Sequence, residues 1–135
     1  YLPAEVFDEL GVEQVSREEA LAAPIVSLHM TLTEETAHLI NRDSLARMAP
    51  GAVLVNVSRG GLIDEAALKE ALESGQLGAF GADVLEGEGA SHPLTSAPRT
   101  TITPHLAYYS PQSLERLRRE QAEKLVAMLD GGTPQ

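Results

Sequence analysis

The stretch that decides the fold is Ala52-Val53-Leu54-Val55-Asn56-Val57. Its apolar residues are consecutive rather than alternating, which is typical of a strand with both faces buried in the middle of a parallel sheet. Residues Asp64 to Ser74 follow with apolar side chains at helical spacing, and Gly75 predicts where this helix ends. A strand followed by a helix is the repeating unit of an α/β protein.

Strands and helices alternate on both sides of this unit. Further strands are predicted at Val12 to Val15, Ile25 to Met30, Gly81 to Leu85 and Thr101 to Thr103. Further helices are predicted from the capping box at Ser16 to Pro24, from Thr33 to Met48 with a break near Asn41 and Asp43, and from Ser110-Pro111 to Gly131-Gly132. We therefore expect an α/β fold, a partial doubly wound (Rossmann-type) parallel sheet with flanking helices.

The composition narrows the class of protein. The chain has 135 residues and a net charge of −10, which argues against a nucleic-acid partner because phosphates are bound by clustered Lys and Arg. It contains no cysteine, which excludes disulfides, thiolate metal sites and cysteine nucleophiles. No apolar run reaches the ~20 residues of a membrane span, and no stretch resembles a signal peptide. These features predict a cytoplasmic protein with no membrane partner.

The histidines do not indicate a metal site. No two of them have the spacing of metal ligands, so no metal is predicted. His29 is interpreted as a strand residue with a satisfied hydrogen bond, and His38 and His92 as surface or packing residues.

Polar residues that suit catalysis follow three of the predicted strands. Arg59, Glu88 and His105 come after successive strands, and ligands of open α/β sheets bind where the strands end. An arginine can bind a carboxylate through two hydrogen bonds, and a histidine can transfer a proton near neutral pH. Each residue alone has a plain alternative, respectively a turn residue, a solvated acid and a polar loop residue. Their shared position on adjacent strand ends favours the functional interpretation.

Four stretches carry a resemblance to a known family. They are Leu28 to Thr33, Gly51 to Glu65, Asp83 to Glu88, and Thr103-Pro104-His105. In this order they resemble the signature of the D-isomer-specific 2-hydroxyacid dehydrogenases over nearly the whole chain. The segment after His105 is similar to the branch that contains the C-terminal-binding-protein corepressors, because Tyr108 stands three positions after the histidine.

The resemblance implies a role for each candidate residue. His105 would protonate the substrate carbonyl, Glu88 would hydrogen-bond its imidazole, and Arg59 would hold the substrate carboxylate. Tyr108 would shape the substrate pocket together with Arg59 and His105. Residues implied to contact the cofactor are Met30, Thr31, Leu32, Thr33, Thr36, Val57, Ser58, Arg59, Asp83, His105 and Ala107. The implied cofactor is NAD, with NADP not excluded, and the implied partner is a small 2-keto or 2-hydroxy acid.

The departures from the family are also informative. The Gly-x-Gly-x-x-Gly turn that holds a dinucleotide pyrophosphate is not found in these 135 residues, and Gly89 stands where the family usually has proline. We therefore expect residues 1–109 to be the C-terminal part of a dinucleotide-binding domain and residues 110–135 to be a helix leading toward a substrate domain.

Two functions follow from the resemblance. The first is a fragment of an oxidoreductase that transfers a hydride between NAD(H) and a D-2-hydroxy acid/2-keto acid pair, inactive by itself. The alternative is a non-enzymatic, NAD(H)-sensing interaction module of the corepressor type. A partial sheet is also expected to expose an apolar edge around Ala52 to Val57 or its neighbour, which predicts self-association, as a homodimer, or pairing with a missing half.

Overall fold

The computed structural model describes residues 4–87 and 92–131 and divides into two compact units, the first ending at Pro104 and the second beginning at His105. The helices and strands of the first unit are α1 (Ala4–Leu10), α2 (Arg17–Leu21), β1 (Ile25–Leu28), α3 (Arg42–Arg47), β2 (Ala52–Asn56), α4 (Glu65–Ser74), β3 (Leu77–Ala82) and β4 (Thr100–Ile102). Short 3₁₀ turns lie at Gly60–Leu62 and Pro93–Ser96. The second unit contains α5 (Pro111–Leu129).

The four strands form one parallel sheet in the order β1-β2-β3-β4. Because the strands lie in chain order, right-handed crossovers place the connecting helices on the same face of the sheet. Helices α3 and α4 pack against each other on that face. The expected fold class, an α/β parallel sheet with flanking helices, is therefore confirmed.

The core lies between this face of the sheet and its helices. Leu54 of β2 and Leu68 and Leu72 of α4 are fully buried members of one apolar cluster. On the opposite face of the sheet, Val53 and Val55 are only half-buried. The prediction that both faces of β2 are buried is thus correct for one face only.

Local capping signals in the sequence are confirmed. Ser16 forms a capping box with Glu19 at the start of α2, and Asp64 accepts hydrogen bonds from two backbone N–H groups of α4. Gly75 ends α4 with the left-handed φ of 80° that glycine adopts without strain. Ser110 begins α5 through a capping box, with Pro111 as the first helical residue. These contacts involve neighbours in sequence, which is why the pattern reveals them.

Two predictions near the N-terminus are wrong, namely a strand and the first part of a helix. Residues Val12 to Val15 form no strand and both valines are exposed, whereas the unpredicted α1 precedes them. The predicted helix from Thr33 to Met48 is reduced to α3. The Thr33 and Thr36 side chains hydrogen-bond to nearby backbone groups, and such bonds compete with helix formation.

The third strand begins four residues earlier than predicted, at Leu77 instead of Gly81. Gly78 lies in the added part of the strand and has a packing role. A Cβ atom at this position would lie 2.1 Å from the carbonyl oxygen of Gly51. Only glycine allows this close backbone approach, so the residue that weakens the strand signal is required by the strand's position.

The edges of the sheet are β1 and β4, while β2 lies in the interior. The apolar edge expected at Ala52 to Val57 or its neighbour therefore falls on the neighbour, β1, where Ile25 is 66% exposed. Among residues 4–87 and 92–131, no helix is both long and apolar enough to cross a membrane.

Candidate functional site

A cavity of about 400 Å³ lies at the carboxyl edge of the sheet, between the loops that follow β1 and β2. Its lining residues are His29, Met30, Thr31, Leu32, Ser58 and Arg59. The resemblance to the family implied five of these six residues as cofactor contacts, and the fold brings those five together. His29 is the addition. It lies just after β1 rather than in it, but its Nε2 atom lies 2.8 Å from the Ser27 hydroxyl, so its predicted hydrogen bond is confirmed.

The turn after β2 is built by the buried side chain of Asn56, which is 1% exposed. Its Oδ1 atom accepts a hydrogen bond of 3.0 Å from the Ser58 N–H, and its Nδ2 atom donates one of 2.9 Å to the Arg59 carbonyl. The Ser58 hydroxyl donates to the Met30 carbonyl at 2.8 Å, which joins the two loops. The exposed Arg59 guanidinium donates to the Ser58 carbonyl at 2.7 Å. Arg59 is thus presented to solvent on a fixed backbone.

Three more predicted cofactor contacts lie beside this cavity rather than in its lining. The Thr36 hydroxyl donates to the Thr31 carbonyl at 2.8 Å and accepts from the Thr33 N–H at 2.7 Å. These two threonines shape the loop that carries Thr31 and Leu32. Val57 is 39% exposed at the end of β2. Contact of these three residues with a cofactor stays a prediction.

Asp83 follows β3 and is buried, with 5% of its surface exposed. The Thr103 hydroxyl donates a hydrogen bond to Asp83 Oδ1, and the Asp83 N–H donates to the Asn56 carbonyl at 3.0 Å. The ends of β2, β3 and β4 therefore meet at Asp83, which contacts β2 through its backbone N–H and the end of β4 through its carboxylate. This arrangement holds Asp83 in one orientation at the edge where ligands of such sheets bind.

The second unit contains His105, Ala107 and Tyr108. The rings of His105 and Tyr108 meet edge to face, with centroids 6.4 Å apart and planes inclined by 85°. His105 has a φ of 54°, a left-handed conformation that costs a non-glycine residue about 1–3 kcal/mol and is concentrated at functional sites. Glu88 lies outside the described residues. The predicted convergence of Arg59, Glu88 and His105 stays a prediction.

Four further residues near the carboxyl edge of the sheet were not predicted from the sequence. Asn56 and Thr103 lie inside the stretches that resemble the family and follow apolar strand residues, so their polarity was a usable signal. Glu65 and His92 pair with each other at 2.7 Å. They are far apart in sequence, and no local pattern connects them.

Residues 1–107 match the family described as D-isomer specific 2-hydroxyacid dehydrogenase, NAD binding domain. The chain belongs to this family. The expected family is thereby confirmed, and the expected cofactor, NAD, agrees with the family's description. The resemblance of the segment after His105 to the corepressor branch gains no support from the relatives described next.

Three relatives of this NAD binding domain illustrate the match. A glyoxylate reductase from Aeropyrum pernix is 39% identical over 133 residues, covering 96% of this chain and 40% of that protein. A D-3-phosphoglycerate dehydrogenase from Mycobacterium tuberculosis is 38% identical over 125 residues, covering 91% of this chain and 24% of that protein. The solved D-lactate dehydrogenase with NAD+ from Lactobacillus jensenii gives a TM-score of 0.87 at 30% identity, covering 99% of this chain and 44% of that chain. The chain spans less than half the length of each.

The cavity at the carboxyl edge suits part of a dinucleotide. Its volume of about 400 Å³ lies within the range of about 300–1,000 Å³ that is usual for ligand pockets. The Arg59 guanidinium offers a cation for a negatively charged group, and Leu32 and Met30 offer apolar surface. Because a whole dinucleotide is larger, the described residues fit one part of it.

Proposed function

We propose that this chain supplies the C-terminal part of the NAD binding domain of an oxidoreductase that interconverts a 2-keto acid and a D-2-hydroxy acid. The observation that carries the proposal is the cavity in which five residues selected from the sequence come together. The match of the family to residues 1–107 supports the same function. The relatives' names, glyoxylate reductase and D-lactate dehydrogenase, indicate a small acid as substrate.

Arg59 binds the substrate carboxylate in this proposal. Its guanidinium is exposed, and its backbone is held by Asn56, so it presents a fixed cation at the carboxyl edge. A planar guanidinium pairs with a carboxylate through two parallel hydrogen bonds, which fixes the orientation of the bound acid.

His105 is the proton donor for the substrate carbonyl oxygen in this proposal. NADH, when bound, supplies the hydride. Glu88 is the acid that assists His105 in this proposal, and Tyr108 borders the substrate. The edge-to-face contact between Tyr108 and His105 supports a shared role for the two rings.

Asp83 holds the carboxamide of the nicotinamide in this proposal, which gives a direct test. The Asp83→Asn variant keeps the size of the side chain but loses two acceptor sites and the charge. We expect the Kd for NADH to rise about tenfold, the equivalent of one charge-assisted hydrogen bond. The measurement is a titration followed by cofactor fluorescence, using both the 135-residue chain and the full-length gene product.

A matched control for this titration is Asp43→Asn, which changes an exposed aspartate at the start of α3. It should bind NADH as the parent does. Equal affinities for the parent and Asp83→Asn would contradict the role of Asp83. If NADH fails to bind the full-length product at millimolar concentration, the proposed function is wrong.

We extend the proposal to a cytoplasmic homodimer. The exposed β1 edge, with Ile25 at 66% exposure, supports association because unpaired strand edges readily pair with another chain. Analytical ultracentrifugation of the 135-residue chain should therefore show a species larger than one chain, and cell fractionation should place the gene product in the cytosol. A compact monomer at all concentrations would contradict the association.

A further inference from the structure

The Glu65 carboxylate contacts two separate segments of the chain. Its Oε1 atom accepts a hydrogen bond of 2.7 Å from the Glu86 N–H, in the turn after β3. Its Oε2 atom lies 2.7 Å from His92 Nε2, at the start of the 3₁₀ turn Pro93–Ser96. One carboxylate at the first position of α4 therefore fixes the chain at residue 86 and again at residue 92.

The contact between Glu65 and His92 is shielded from solvent and has a defined geometry. The His92 and Glu65 side chains are only 10% and 17% exposed. His92 Nδ1 accepts a hydrogen bond of 3.3 Å from the Leu94 N–H, so the ring proton resides on Nε2 and points to Glu65. Exposed ion pairs contribute little to stability, but a shielded hydrogen bond of this kind holds its partners in place.

The turn held by Glu65 touches the turn that carries Arg59. A Cβ atom built on Gly60 would lie 2.0 Å from the carbonyl carbon of Leu85 and 2.2 Å from the Glu86 nitrogen. The backbone of Gly60 thus lies directly against the peptide that donates to Glu65. A displacement of Glu86 is therefore transmitted to Gly60 and to the neighbouring Arg59.

We propose that Glu65 is a positioning residue for Arg59, acting through the Glu86 peptide and Gly60. The inference rests on the proposed function, because it assigns Arg59 to the substrate carboxylate. Glu65 touches neither the lining of the cavity nor Asp83 among the contacts described above. Its removal should therefore affect the 2-keto acid more than the cofactor.

The plain alternative is that Glu65 only stabilises α4, since a negative charge is favourable at a helix N-terminus. The variants Glu65→Gln and Glu65→Ala separate the two. Both remove the charge, so a helix-dipole effect is lost equally in both. Gln retains one oxygen that can accept from the Glu86 N–H, although its amide N–H group then faces the N–H of His92, whereas Ala offers no acceptor at all.

The experiment measures NADH-dependent reduction of glyoxylate by the full-length gene product and its Glu65 variants. We expect Glu65→Ala to raise KM for glyoxylate about tenfold, the equivalent of one hydrogen bond to a charged group. Glu65→Gln should recover part of this loss, because its single oxygen can accept from the Glu86 N–H but not also from His92. The Kd for NADH should change less than KM for glyoxylate in both variants. Glu73→Gln, an exposed glutamate in the last turn of α4, is the control and should behave as the parent.

Two outcomes would overturn the inference. One is an unchanged KM for glyoxylate in Glu65→Ala while the parent is active. The other is an equal rise in KM in the Ala and Gln variants. If the parent itself does not reduce glyoxylate, hydrogen exchange at the Glu86 amide decides whether Glu65 holds the turn. Protection should fall in Glu65→Ala and persist in Glu65→Gln, whereas persistence in both variants would contradict the positioning role.

Discussion

Replacing His105 with Asn in the full-length gene product is expected to lower kcat for glyoxylate reduction by about a hundredfold to ten-thousandfold, the usual contribution of a positioned acid–base side chain. Asn retains a hydrogen-bonding amide but has no proton to transfer near neutral pH. It also tolerates the left-handed backbone of His105, whose φ is 54°, better than most residues do. Steady-state kinetics measures kcat and an NADH titration measures cofactor affinity, which should change far less than kcat.

The pH profile distinguishes a chemical role for His105 from a structural one. A general acid makes kcat fall as the pH rises and the imidazolium loses its proton. This high-pH limb of the profile should therefore disappear in His105→Asn. Tyr109→Phe, which removes only an exposed hydroxyl from the same segment, is the control. A variant that keeps parental kcat, or loses it with the pH limb intact, would contradict the role of His105 as proton donor.

Interactions between residues close in sequence explain which parts of the fold could be predicted. The caps at Ser16 and Ser110 were predicted correctly because each side chain contacts a backbone group within three residues. The parallel sheet was predicted because buried strands are apolar at consecutive positions. The loop after β1 was misassigned because Thr33 and Thr36 bond to the backbone there and replace the expected helix.

Long-range contacts explain what the sequence could not reveal. The need for glycine at position 78 depends on Gly51, which reaches it only once β2 and β3 are aligned. The pairing of Glu65 with His92 likewise depends on how the segment before β4 returns to α4. His92 was interpreted as a surface or packing residue, and its low exposure supports packing, but its specific partner had no local signal.

In the candidate site, too, residues that are close in sequence were predicted, whereas the contacts that support them were not. The five cavity residues predicted from sequence lie within two short stretches, after β1 and after β2, and a parallel sheet necessarily brings such stretches to one edge. Asn56 and Thr103 were missed because their importance arises from what they hold, the Arg59 backbone and the Asp83 carboxylate. Residue type indicates possible chemistry, whereas the supporting contacts appear only in three dimensions.

Gly60→Ala is the second variant for which we expect a large effect, in this case on both stability and activity. The new Cβ would lie 2.0 Å from a backbone carbon of Leu85, and backbone cannot move aside as a flexible side chain can. Overpacking of this kind costs about 1–3 kcal/mol in the free energy of unfolding. Because Arg59 is the adjacent residue, a displacement of about 1 Å should also lower kcat/KM for glyoxylate by about a hundredfold.

The neighbouring glycine provides a matched comparison. A Cβ on Gly61 would come closest to the Leu32 side chain, at 3.1 Å from Cδ2, and would lie 3.9 Å from the Glu86 carboxylate. Both neighbours are side chains, and Leu32 is 40% exposed and can rotate away. Gly61→Ala should therefore change the free energy of unfolding by no more than about 0.5 kcal/mol. Urea denaturation of both variants tests the difference. Equal stabilities would mean that the Arg59 turn is not held against the Leu85–Glu86 peptide, and the route by which Glu65 positions Arg59 would fail with it.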